Sequence, residues 1–453
     1  MGAFTKDEKQ RPGGDEVTMD EDRRHRAEAA GSAHAGGAER TPSARSLRGL
    51  DGINFLMADV RDGVGPYLSI YLGGARDWEA GPVGVAMAMS NIAAAICQVP
   101  AGLLVDASRA KRRLIALAAL LVGAGCLAIV LQPGRLTVYA AQAALGAASA
   151  VIPPALAAIS LGIVGRRLMP ARISRNEGFN HAGNLTAAVL AGVLGQYVGV
   201  EWIFYLVAAF AAASAAVVFL VSPAEINHET ARGGEQETPG GRCEPLPIRA
   251  VVTRRPLLVF LASVALFHFG NAAMLPLAGQ VLAQTHPGTD AIALSACIIA
   301  AQFVMVGVAW AVGRAMDRGV GRKTIFLVAL AVLPVRGVLF TLTSNPFGVV
   351  GIQLLDGVAA GIFGVISVVV AADLTRGTGR FNLAQGLVAL CTGVGAASSN
   401  AVAGYVVQFF GFATGFLFLA AVAGAALAFF WAFMPETASA EAQAAPGTAA
   451  QAA

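Results

Sequence analysis

Apolar positions along this chain gather into twelve long runs. The first six lie near residues 51–73, 82–104, 114–132, 136–162, 176–200 and 202–221, and the second six near 257–282, 290–312, 324–343, 347–371, 381–409 and 412–434. An α-helix needs about 20 mostly apolar residues to cross the hydrocarbon core of a bilayer, and each run reads as one such span. The polar stretches between them are short except at 222–256, where Pro223, Pro239, Pro245, Pro247 and the Gly233–Gly234 pair mark a linker. The runs therefore divide six and six. The expected fold class is an all-α membrane protein of twelve transmembrane helices in two pseudo-symmetric six-helix bundles. The expected division is a disordered tail at 1–48, an N-terminal bundle at 49–221, the linker at 222–256, a C-terminal bundle at 257–435 and a second disordered tail at 436–453. The first tail is rich in Gly, Ala, Glu and Arg and lacks a core-forming pattern. No short apolar run follows Met1, so no cleaved signal peptide is expected.

Composition agrees with this pattern. Of 453 residues, 56% are apolar and only 13% are charged, against about 25% charged in a soluble domain. That excludes a soluble enzyme and a secreted disulfide scaffold, and the strict alternation of an outer-membrane barrel is absent. The five cysteines are Cys97, Cys126, Cys243, Cys297 and Cys391. Four lie inside apolar runs and one in the linker, without ligand-like spacing, so neither a disulfide framework nor a metal site is expected. No phosphate loop, zinc-binding spacing or Ser/His/Asp arrangement occurs, so no cofactor, ATP-driven pump or enzyme is expected.

The net charge of +4 is no nucleic-acid footprint, because many basic residues sit in short loops on one side. Arg109, Lys111, Arg112 and Arg113 lie there, with Arg166, Arg167, Arg172 and Arg175. Arg314, Arg318, Arg322, Lys323, Arg376 and Arg380 join them, whereas the other side has only Arg76 and Arg135. Basic loops face the cytoplasm, which places both termini and the linker there. The chain also repeats itself at an offset of 210–212 residues. Pro66 matches Pro276, Gly102 matches Gly313, Asp106 matches Asp317, Gln142 matches Gln353, Gly146 matches Gly357 and Gly192 matches Gly404. Two homologous halves put a site on the axis between them, near mid-membrane, as alternating access requires.

The segment Gly102-Leu-Leu-Val-Asp106-Ala-Ser-Arg109-Ala-Lys111-Arg112-Arg113 resembles the signature loop of the major facilitator superfamily. Gly313-Arg-Ala-Met-Asp317-Arg318-Gly-Val-Gly-Arg322-Lys323 is similar to its second-half copy, with one extra residue. With the six-plus-six pattern, the resemblance covers roughly residues 50–435. Asp62-Gly-Val-Gly-Pro66 resembles the Asp-x-x-x-Pro element of drug/proton antiporters. Two features depart from that subfamily. The fourth span has Gln142, and the tenth Gln353, where a proton-coupled member usually has Arg, and the fifth has Gly192, Gly195 and Gly199 but no Gly-Pro pair.

An ionisable group inside a span costs about 2.5–3.5 kcal/mol near the helix centre, which makes each one a functional candidate. The first span holds Asp59, Arg61 and Asp62, with both aspartates on one helix face. Two carboxylates so close repel, and one that exchanges a proton near neutrality is what a proton-coupled carrier needs. Arg61 pairs with Asp62 or with an anionic substrate, or all three form a structural ion network. In the fifth span Glu177, Asn180, His181 and Asn184 make one continuous stripe that must face the bundle interior. The stripe lines the substrate path, with His181 titrating near neutrality, or serves helix-to-helix hydrogen bonding. In the second half His268, Asn271 and Asp356 are lone polar groups, Asn271 standing at the repeat position of Arg61. They are read as substrate or proton contacts. Arg336 follows Pro334 in the ninth span, a peripheral helix in the superfamily, and is expected to snorkel or pack there.

The resemblance also implies that the loops bearing Asp106 and Asp317 brace the starts of the eleventh and fifth spans. Those starts carry Arg380 and Arg175, so Asp106–Arg380 and Asp317–Arg175 are expected as latches closing the cytoplasmic side. The function expected from the whole is secondary active transport, with proton-coupled efflux of a small organic molecule by alternating access. A proton-coupled importer of a metabolite is the alternative, and a non-transporting membrane sensor or assembly factor a third. The expected partners are a small-molecule substrate, protons and the lipid bilayer, with no nucleic acid. The expected state is a monomer in a bacterial inner membrane, since the chain is rich in Ala and Gly and its outer loops carry no glycosylation sites.

Overall fold

The computed structural model describes residues 42–62, 64–231, 247–375, 378 and 380–437. Nearly all of the first tail, the centre of the linker and most of the last tail lie outside these residues. From Ala44 onward the described chain is one compact helical unit. Eight of its helices are long and apolar enough to cross a membrane, and one of them, Leu383–Phe433, has 51 residues and turns at Gly411 into two passes. The remaining three spans are helices that carry charged or polar residues: Ala44–Asp62, the part of Ile152–Tyr197 beyond Gly165, and Arg322–Leu339. The twelve passes expected from the sequence are thereby accounted for. Gly165 and Gly411 make the two sharp reversals inside long helical stretches, at φ of 71° and 84°, where a side chain would be strained.

The repeat in the sequence is a repeat in the packing. A methyl group added at Gly146 would fall 2.0 Å from the Ser90 carbonyl oxygen, so spans 4 and 2 cross there backbone to backbone. Gly357 and the Ala301 carbonyl, at the same repeat offset, make the matching contact between spans 10 and 8, at 2.6 Å. Gly183 meets the Phe55 carbonyl between spans 5 and 1, and Gly395 meets the Ala265 carbonyl between spans 11 and 7. Small residues allow helices to approach this closely where no hydrophobic force drives them together. The apolar core follows suit, with one large cluster drawn from residues 50–231 and another from residues 251–434.

The halves touch each other through a second symmetric pair. Span 2 meets span 11 at Gly84, where a methyl group would stand 2.1 Å from the Asn400 carbonyl and 3.2 Å from the Gly404 Cα. Span 8 meets span 5 at Ser295, whose hydroxyl would lie 2.7 Å from a methyl group at Gly192. These contacts lie toward the side away from the basic loops. There Tyr67 and Ser295 share a hydroxyl hydrogen bond of 2.7 Å, Ser69 donates to the Pro276 carbonyl at 3.0 Å, and Gln408 Nε2 donates to Glu79 at 2.9 Å. A small apolar cluster of Tyr67, Ile70, Ala191, Ile203, Ala283 and Leu294 seals the same level. Toward the basic loops, Glu177 and His181 are exposed, and no atom lies within 4 Å of a methyl group placed on Gly178 or Gly386. Among the described residues, these contacts between the halves lie on the far side, and Glu177 and His181 on the basic side are exposed.

The first signature loop is held by Lys111, which is fully buried. Its Nζ donates to the Val105 carbonyl at 2.8 Å and the Ser108 carbonyl at 2.7 Å, satisfying acceptors that the end of helix Ala80–Ala107 leaves open. Its neighbour Arg112 donates to the Val221 carbonyl at 2.7 Å, tying the loop to the end of the sixth span.

Candidate substrate and proton-coupling site

Two prolines at matching repeat positions build the centre of the site. A proline removes one helical hydrogen bond, and its ring crowds the carbonyl four residues earlier. Pro66 thus ends the inner helix of span 1 at Asp62, and Pro276 ends that of span 7 at Asn271. The outer segments resume at Tyr67 and Met274. The Ala273 N–H, at the second break, donates to the Ser399 hydroxyl of span 11 at 3.0 Å. Broken helices at corresponding places in two halves mark the binding region in many carriers. The candidate polar residues Asp59, Arg61, Asp62, His268 and Asn271 all lie on the last turn before a break. The side chains of Asp59, Arg61 and Asp62 lie outside the described residues.

Around the second break the chain assembles a buried ionic cluster. Arg336 of span 9 is 1% exposed and pairs with Asp356 of span 10 at 2.9 Å. It donates to Gln353 Oε1 at 2.8 Å and to the Asn271 side-chain oxygen. Gln353 Nε2 closes the loop by donating to the other Asp356 oxygen at 2.9 Å. A charge at a helix C-terminal end is favourable when positive, so the guanidinium also suits the half-helix that stops at Asn271. Asp356 keeps 19% of its side chain exposed, leaving one face of the cluster open to a proton or ligand.

This overturns the snorkelling reading of Arg336 and leaves the packing one. The ninth span does not direct it to the periphery; it is the cation around which Asn271, Gln353 and Asp356 converge. Among the described residues the first half has no such cluster: Leu145 stands at the repeat position of Asp356, and the third span has no charged residue between Leu114 and Leu131. The signal was present in the sequence, since a lone arginine deep in an apolar run requires an anionic partner in a neighbouring span.

His268 stands apart from the ionic cluster. Its Nδ1 lies 3.0 Å from the Val264 carbonyl, and its ring meets Phe363 edge-on at 4.7 Å. In the fifth span, Asn184 donates to Asn180 at 3.1 Å, while Glu177 and His181 are exposed on the basic side. The stripe is therefore split between a bonded amide pair and two groups facing the opening.

At the basic ends of spans 1 and 5 lies a network that the sequence reading did not single out. Asp51 receives Arg172 at 2.6 Å and Arg175 at 2.7 Å, and Arg172 also donates to Asn176, which donates to Ser160. In this conformation Arg175 is engaged by Asp51 of its own half and not by Asp317, whose side chain is exposed, as is that of Asp106. Among the described residues, Asp51 is therefore what holds Arg175.

Comparison with known proteins fits this geometry. The Major Facilitator Superfamily profile matches residues 51–335 and 310–452. The chain is 46% identical over 395 residues to an uncharacterized MFS-type transporter of Mycobacterium tuberculosis, a match covering 87% of this chain and 94% of that protein. It belongs to the major facilitator superfamily and is a multi-pass membrane transporter. Among solved structures, it superposes on the nucleoside transporter NupG with a TM-score of 0.70 at 14% identity, over 85% of this chain and 98% of that one. A POT family transporter in complex with 5-aminolevulinic acid superposes at 0.68 and 12% identity, over 88% of this chain and 97% of that one. At such identities these likenesses speak for the fold alone.

Proposed function

We propose that the protein is a proton-coupled exporter of a small organic molecule, working as a monomer in a bacterial inner membrane with both termini in the cytoplasm. The halves 49–221 and 257–435 rock about the axis between the broken spans 1 and 7. The observation that carries this reading is the partly exposed Asp356, held beside a buried Arg336 at the level of the helix breaks. A proton taken up through the open face of this carboxylate neutralises it and leaves Arg336 a buried cation with only the neutral acceptors Asn271 and Gln353, so uptake is tied to a rearrangement around the cation. Asp59, Arg61 and Asp62 supply the matching polar level of the first half, and Glu177 and His181 line the approach from the basic side. Asp106–Arg380 and Asp317–Arg175 are proposed to close that side when the far side opens.

The test uses everted vesicles energised to acidify the lumen, with a pH-sensitive dye and a panel of drugs, siderophore-like chelates, sugars and organic acids. Wild type is expected to release protons when a transported compound is added, and Asp62→Asn and Asp356→Asn to lose that response. Silence across the panel with folded protein would overturn export. Import is the second reading, favoured by the missing Gly-Pro pair in the fifth span, and whole-cell uptake driven by an acidic exterior would then be the measurement.

A further inference from the structure

The outer piece of span 7, Met274–Thr285, is a large part of the seal between the halves. Ser69 donates to its Pro276 carbonyl, a methyl group at Gly73 would stand 3.3 Å from Gln280, and one at Gly74 would stand 2.8 Å from Ala283. This piece joins the rest of span 7 only through the break at Ala272–Ala273. The residue immediately before the break, Asn271, is gripped by the Arg336 guanidinium, and that guanidinium is fixed in turn by Gln353 and Asp356 of span 10. Behind the break, Ser399 of span 11 accepts the Ala273 N–H. A continuous set of polar contacts therefore runs from the one partly exposed carboxylate of the cluster to the hinge of a gate-forming segment.

We infer that Arg336 is the positioning residue that couples the state of Asp356 to the far-side gate. While Asp356 is charged, Arg336 is anchored to span 10 and holds Asn271, so the hinge stays in the geometry that seals Met274–Thr285 against span 1. When Asp356 is neutralised, by a proton or by a cationic group of a bound molecule, the anchor weakens and the outer segment is released. Gln353 takes part because it accepts from Arg336 and donates to Asp356, and so senses both. The other titratable groups close to Asp356 and Arg336 are His268 of span 7 and Cys297 of span 8. His268 is turned into Phe363 and the Val264 carbonyl, and Cys297 is fully buried, which leaves Asp356 as the group open to exchange. Among the described residues the device has no counterpart in the first half, where Leu145 occupies the corresponding place.

The role of Asp356 as exchanging carboxylate rests on the proposed function, but the mechanical link is tested without a substrate. Gln280→Cys is placed in a background free of the five native cysteines, and its reaction with a maleimide is followed in detergent-purified protein. Ser214→Cys, at a fully buried position of the sixth span, serves as the reference for general loosening. Asn271→Ala and Asp356→Asn are each expected to raise labelling of the Gln280→Cys thiol about fivefold or more, the lower end of measured couplings between sites, with no change for Ser214→Cys. The double variant is expected to go no further than either single one, because both cut the same link. Unchanged labelling of Gln280→Cys, or an equal rise for Ser214→Cys, would overturn the coupling. Arg336→Ala is avoided here because it strands Asp356 without its counter-ion. A positive labelling result with no proton flux in vesicles would leave the link standing and reject the proton as its trigger.

Discussion

Arg336 of the ninth span and Asp356 of the tenth are paired at 2.9 Å, with the arginine 1% exposed and the aspartate on the open edge of their cluster. The pair ties two helices whose counterparts in the first half meet through apolar contact at Gly125 and Leu145. An ion pair in such a place adds little net stability, because desolvation offsets the attraction, but stranding one partner is expensive.

Stability and transport should therefore separate at this pair. Arg336→Leu alone is expected to lose about 3–5 kcal/mol, the usual cost of leaving a buried charge unpaired, and to give little folded protein. Asp356→Asn should be milder, because Asn271 and Gln353 still accept from the guanidinium. Arg336→Leu with Asp356→Leu should regain folded yield yet remain inactive. Thermal melting in detergent and vesicle transport together check this, and a double variant that transports would contradict it.

The two kinds of glycine crossing should respond differently to added bulk. Gly146 packs within one half, so Gly146→Leu is expected to destabilise by about 1–3 kcal/mol through overpacking. Gly84 packs between halves, so Gly84→Leu should leave the melting temperature within a few degrees and instead prevent far-side closure. Maleimide labelling at Gln280→Cys reads the second effect.

The proposed latch Asp106–Arg380 is expected to form only when the basic side closes. Asp106→Arg and Arg380→Asp should each reduce transport, and the charge-swapped double variant should restore it. Failure of the swap, with both single variants folded, would remove the latch from the cycle. Arg175 is a poorer test, because Asp51 already holds it on its own half.

Much of the fold was legible in the sequence. Twelve apolar runs, a central linker and a repeat of 210–212 residues are all properties of spacing, and the matching glycine contacts realise that repeat in space. The helix breaks were not read from the sequence, although Pro66 and Pro276 carry their signal, since a proline acts on the carbonyl four residues back. Of the buried cluster, Asn271 and Asp356 stood out in the sequence because polar groups are costly in spans. The snorkelling reading of Arg336 failed because an apolar run shows that a span exists without showing which face meets its neighbours. Asp51 was missed because it sits at the very start of the first run, where a charge carries no penalty that would draw notice. Which latch is closed depends on conformation, and no sequence pattern records that.

The central claim is a carrier whose halves must part at the far side, where Glu79 and Gln408 now meet at 2.9 Å. The most direct measurement joins Glu79→Cys and Gln408→Cys with a short bismaleimide in a cysteine-free background, then follows compound-driven proton flux in vesicles. The account predicts that the cross-linked protein stays folded and carries no flux, while either single cysteine treated with the same reagent remains active. Undiminished flux through the cross-linked protein would contradict alternating access by these two halves.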